Sequence, residues 1–276
     1  MSDIAAQPKT RESGTAPWGV IPAAGVSVSA FLLFAVQQPI PGYLVLVASI
    51  AVAFAAGREL GKDLLLIGVG LGIVSSVSVE ANLEWGNIVL LGFVLTAAVV
   101  VPFVLDRYVY KHRTIQFPVR RREPWTRLEK SYLGIAVVLA YLILPVYFIG
   151  SGAYRNWPAV HEWHEIARLF VGVNAVGIWD ELFFICIVFT LFLRHFPLWV
   201  ANILQAVVFV SFLWELGYRE WGPAITIPFA LIQAYIFTKT RSLVYVICVH
   251  LLFDLFVFLV IVRAHNPGAI PIFLFN

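Results

Sequence analysis

Between Gly172 and Arg194 the chain reads GVNAVGIWDELFFICIVFTLFLR, an apolar run broken at its middle by Asp180 and Glu181. A run of this length is a membrane-spanning helix, because about 20 residues at about 1.5 Å each cross the hydrocarbon layer. Two adjacent carboxylates do not belong there without a reason: even the lowest estimates put an isolated Asp at a cost of about 2.5–3.5 kcal/mol at the bilayer centre. The pair must face a polar cavity, meet partners or hold protons, so it marks a site.

The remainder of the chain agrees with a membrane setting. Of its 276 residues 61% are hydrophobic and only 13% charged, where a soluble domain carries about 25% charged residues. Apolar runs over 17–36, 42–56, 64–79, 88–105, 132–150, 168–194, 197–216, 222–238 and 243–263 predict an all-α fold. The architecture expected is a polytopic transmembrane helical bundle of about nine membrane helices, surrounded by lipid bilayer. Residues 1–16 are polar and lack the apolar core of a signal peptide, which predicts a retained tail; 264–276 form a second tail.

Lys and Arg placement sets the orientation, since cytoplasmic segments collect them. With the N-terminus inside, the inner segments hold Lys9, Arg11, Arg58, Lys62, the cluster from Arg107 to Lys130, Arg194, Lys239 and Arg241. The outer segments keep Arg155, Arg168, Arg219 and Arg263. This asymmetry predicts an integral protein of the cell inner membrane with a cytoplasmic N-terminus. The basic loop 106–131 divides a four-helix part, 17–105, from a core at 132–263. It reads as a topology signal lying on anionic headgroups, and no nucleic-acid motif accompanies it.

Several features have plain structural readings. Gly68, Gly70 and Gly72 predict close helix packing, and Trp18, Trp85, Trp157, Trp163, Trp199 and Trp221 predict interface anchors. Cys186 and Cys248 lie in apolar runs and read as small packing residues. His161-Glu162-Trp163-His164-Glu165 lacks the HExxH order of zinc proteases, so it is read as an interfacial turn in preference to a metal site.

Five ionisable residues of the later runs remain: Asp180, Glu181, Glu215, His250 and Asp254. His250 and Asp254 are four apart and therefore share a helical face. The Asp180-Glu181 pair on one helix, followed by His250-Leu251-Leu252-Phe253-Asp254 on a later one, resembles the CAAX-protease and bacteriocin-processing family of glutamate-type intramembrane endopeptidases. That family carries Glu-Glu-x-x-x-Arg, Phe-x-x-x-His and His-x-x-x-Asn/Asp on successive helices. Here Asp180 replaces the first Glu, Ile185 the Arg, and Glu215 is the ionisable residue near the expected middle His.

The resemblance implies hydrolysis of a peptide bond, a carboxylate activating water while His250 and Asp254 stabilise the oxyanion. Asp180 occupies the position of the family's base, and Glu215 could stand in for the missing His as a proton acceptor. No cofactor is implied, although the carboxylates and imidazole could hold a divalent cation. An intramembrane endopeptidase acting on a peptide or protein substrate is the first expectation. A proteolytically inactive subunit bound to a partner membrane protein and a proton- or cation-coupled transporter are the alternatives.

Overall fold

A computed structural model describes residues 16–120, 124–268 and 271–273. The polar tail at 1–15, with Lys9 and Arg11, lies outside the described residues, as do Arg121, Arg122 and parts of the C-terminal tail. Among the described residues nine long helices follow one another: α1 Pro17–Ala35, α2 Pro39–Ala56, α3 Arg58–Val74, α4 Trp85–Tyr110, α5 Arg127–Gly150, α6 Trp163–His195, α7 Leu198–Leu216, α8 Pro223–Thr240 and α9 Leu243–His265. Seven are long and apolar enough to cross a membrane; α3 and α8 fall short. The fold is the expected polytopic helical bundle.

Helices extend past the expected ends wherever a charged turn finds a partner. The third begins at Arg58 instead of 64 because Glu59 and Asp63 bind cations on other elements. Asp63, fully buried, accepts from Arg194 Nη1 at 3.0 Å and meets His195 Nε2 at 2.7 Å, both at the end of α6. Glu59 reaches His112 at 2.8 Å and Arg194 at 3.3 Å. The fourth helix runs on to Tyr110, carrying buried Asp106, whose Oδ2 accepts from the Ile115 N–H at 3.0 Å. At the other side of that loop, Thr126 and Glu129 form a reciprocal capping box that starts α5 at Arg127, satisfying two helix N-terminal donors. The basic loop is thereby shorter than 106–131.

The four N-terminal helices pack on the later ones. α1 lies against α7, where Ser27 Oγ donates to Leu204 O at 3.0 Å. A side chain at Gly70 would overlap Phe183, so this glycine lets α3 approach α6 closely. Gly68 does the same against Ile50, whereas Gly72 faces open space. Trp18, Trp85, Trp163, Trp199 and Trp221 are exposed, as interface anchors are; Trp157 departs from that expectation and is buried among Phe148 and Tyr218. Cys186 packs in a buried cluster with Leu243 and Val246.

Candidate active site

The acidic pair sits where α6 changes its winding. The helix is α-helical through Asp180, then widens to π-helical turns over Glu181–Phe189. Thr190 Oγ1 accordingly donates to the carbonyl five residues back, Ile185 O, at 3.1 Å. Such stretches are rare and frequently fall at functional sites. The change of pitch is held by aromatic packing: Trp179 stacks on Phe183 at 5.0 Å, and its indole N–H donates to Leu95 O of α4 at 2.7 Å. Phe184 locks against Phe209 and Phe212 of α7.

His250 of α9 lies between the carboxylates. Its Nδ1 is 2.8 Å from Glu181 Oε1, and its Nε2 is 3.7 Å from Asp180 Oδ2 and 3.8 Å from Asp254 Oδ1. All four side chains are buried, with exposures of 1–5%. The edge-on ring of Phe229 in α8, 4.9 Å away, packs against the imidazole.

Gln233 of α8 completes the arrangement. Its Nε2 donates to Glu181 Oε1 at 2.8 Å and to Val246 O at 3.1 Å. Two acceptors facing one amide fix which end is the nitrogen. Glu181 Oε1 thus accepts from both the amide and the imidazole, and is fully engaged. Asp180 Oδ1, Glu181 Oε2, Gln233 Oε1 and Asp254 Oδ2 have no hydrogen-bond partner among the described residues. Gly177, one turn before Asp180, leaves room for Asp254: a Cβ there would overlap the Asp254 carboxylate.

A cavity of about 950 Å³ has Asp180, His250 and Asp254 on its wall, while Glu181 and Gln233 stand behind them, off the wall. The volume is at the upper end of ligand pockets, about 300–1,000 Å³. Apart from these three groups, apolar side chains of α4, α5, α6, α8 and α9 form most of the lining. The arrangement can hold a polar reacting group against two acceptors and an imidazole inside an apolar chamber.

Four of the five residues singled out in the sequence come together, and Glu215 does not join them. It ends α7 and accepts from the Val79 N–H at 3.2 Å and Ser78 Oγ at 3.4 Å in the loop after α3. Leu213 and Leu216 of that helix line the cavity, and Leu213 lies four after Phe209, which packs against the His250 ring. Phe209-x-x-x-Leu213 therefore has the spacing of Phe-x-x-x-His with Leu at the final position. Ile185, in the place of the Arg, is buried in the apolar core. In the segment before α6, Glu165 accepts from the His161 and Glu162 N–H groups and caps the helix. Gln233 and Gly177 were not signalled by sequence, being a neutral amide and a glycine.

Fold and site together define an integral membrane protein with a buried carboxylate–imidazole cluster at the wall of an intramembrane cavity. Residues 162–256 match the family model for the type II CAAX prenyl endopeptidase Rce1-like family. That segment holds all four clustered residues and Gln233, and it bears out the resemblance carried by the motifs. No curated protein and no solved structure matches the chain.

Proposed function

We propose that the protein is an intramembrane endopeptidase in which Asp180 is the general base and His250 the electrophile. The observation that carries this reading is the division of labour around one imidazole. Glu181, held by Gln233, engages Nδ1, while Nε2 faces the cavity between Asp180 and Asp254. Separations of 3.7 and 3.8 Å are too long for direct hydrogen bonds and suit a bridging water.

In the reaction Asp180 takes a proton from that water, and the resulting hydroxide attacks the peptide carbonyl carbon. The imidazolium of His250 stabilises the oxyanion through Nε2–H, its charge balanced by Glu181. Asp180 then returns the proton to the amide nitrogen as the C–N bond breaks, yielding a carboxylic acid and an amine, between which the remaining proton then redistributes. Asp254, four residues after His250 on the same wall, takes part in its protonated form, so that it puts no second negative charge beside the oxyanion. The apolar chamber excludes bulk water and strengthens each of these interactions.

Cleavage of a quenched-fluorescence library of apolar peptides by the purified protein tests the reading. Heavy-oxygen water should label the new carboxyl group, and Asp180→Asn should lower the rate about 10²–10⁴-fold, the usual worth of a general base. Undiminished cleavage by Asp180→Asn would remove Asp180 from the reaction.

A second reading, a non-hydrolytic binding subunit, is favoured by Ile185 and Leu213, which stand where the family has Arg and His. Leu213→His separates the two. It adds an imidazole to the cavity wall and should speed an existing cleavage, whereas a binding subunit would show no cleavage before or after the change.

A further inference from the structure

The chain turns back toward the cavity where α7 ends. Gly217 has φ 136°, a conformation that strains any side chain, and a Cβ on it would lie 2.8 Å from Trp157 Nε1. The N–H groups of Gly217 and Tyr218 both donate to Leu213 O, at 3.2 and 2.9 Å, closing the helix. The carbonyls on either side of Tyr218 are tied as well. Gly217 O accepts from Asn156 Nδ2 at 3.2 Å, and Arg219 O accepts from the Tyr147 hydroxyl at 2.7 Å.

The ring of Tyr218 is boxed on three sides. Tyr147 lies parallel to it with centroids 6.4 Å apart, and Phe148 and Trp157 meet it edge-on at 5.6 and 5.7 Å. Tyr218 is only 9% exposed and lines the same cavity as Asp180, His250 and Asp254. No hydrogen bond among the described residues occupies its hydroxyl, although a buried tyrosine usually finds a partner. Burial, and after it charge on Asp254, Tyr147 and Asp180, pushes this phenol well above the ordinary tyrosine range, so it holds its proton and serves as a donor. The two carboxylates that act on it are among those with an unpartnered oxygen.

We infer that Tyr218 is a further catalytic residue, its hydroxyl donating a hydrogen bond to the oxyanion beside His250 Nε2–H. The inference rests on the peptidase reading for the identity of that anion. It answers a deficit in the cavity wall: Leu213, where the family has His, carries no donor, and the same helix end delivers one five positions later. The phenol keeps its proton throughout, so no bond forms or breaks at Tyr218. It stabilises the charge that develops on the carbonyl oxygen, where converging donors in an apolar chamber act most strongly.

The test compares the native protein with Tyr218→Phe, which removes the hydroxyl and keeps the ring in its box, so the thermal midpoint should not move. In the cleavage assay kcat should fall about 10²–10³-fold, the usual worth of one oxyanion donor, with KM nearly unchanged. A second measurement needs no turnover: calorimetric titration of the full-length protein in a neutral detergent. The probes are an acetylated apolar pentapeptide amide whose central peptide bond is replaced by a phosphinate, a tetrahedral anion, and its planar ketomethylene analogue. The native protein should bind the phosphinate at least about tenfold more tightly, the order expected for a hydrogen bond to a charged group. Tyr218→Phe should lose most of that preference, and Asp180→Asn should retain it. A preference that Tyr218→Phe abolishes, in a protein that cleaves nothing, supports the donor and removes only the hydrolysis. No preference in the native protein, an equal preference in Tyr218→Phe, or an unchanged kcat in that variant overturns the inference.

Discussion

At the scale of single residues, the site was legible where charge stood in an apolar run. Asp180, Glu181, His250 and Asp254 each carry a cost in hydrocarbon that only a partner or a function offsets, and their mutual contacts supply the partners. Glu215 carried the same signal for another reason: it lies at a helix end, where the loop amide of Val79 satisfies it. Gln233 was invisible because a neutral amide costs less to bury and is an ordinary helix-packing residue. Gln233→Leu should destabilise the fold by about 1–3 kcal/mol, since it leaves buried Glu181 short of a donor. In a cleavage assay it should lower kcat more than it changes KM, because Glu181 is off the cavity wall and acts only through His250. Gly177→Ala should displace the Asp254 carboxylate and lower turnover by about 10²-fold, the cost of a misplacement near 1 Å. Its thermal midpoint should stay close to that of the native protein if Asp254 is the part that moves.

At the scale of helices, apolar runs located all nine elements but not their ends. Length and hydropathy report the hydrocarbon-spanning part of a helix, whereas its terminal turns depend on partners distant in sequence. Arg58 to Asp63 reads as a polar loop until Arg194, His195 and His112 are brought to it. Arg194, counted from sequence as a topology charge, also ties the end of α6 to α3. Asp63→Ala removes the buried carboxylate that Arg194 and His195 share, leaving Arg194 its contact with Glu59, and should cost about 1–3 kcal/mol, the penalty for taking a partner from buried hydrogen-bonding groups. Thermal unfolding in detergent measures this loss, and Asp63→Asn should recover part of it. The widened turns at Glu181–Phe189 were also not legible, because a π-helical stretch has no composition of its own and here accompanies aromatic packing between α6 and α7.

At the scale of the whole molecule, the alternation of charge predicts a cytoplasmic side that holds the basic loop and the end of α6, with the loop after α3 on the other side. In a Cys186→Ala, Cys248→Ala background, Arg113→Cys should react with an impermeant thiol reagent only in inside-out vesicles. Asn82→Cys, in the loop between α3 and α4, should react only in right-side-out ones. The reverse pattern would invert the proposed orientation while leaving the cluster intact.

The central claim is that side chains from α6 and α9 act on one water as a single unit. Peptide cleavage rates of Asp180→Asn, His250→Gln and the double variant test it directly. Each single change should cost about 10²–10⁴-fold, and the double variant should be little slower than the worse single, because residues that work as a unit are not additive. Single variants that cleave at the native rate, or losses that multiply as for two independent sites, would contradict it.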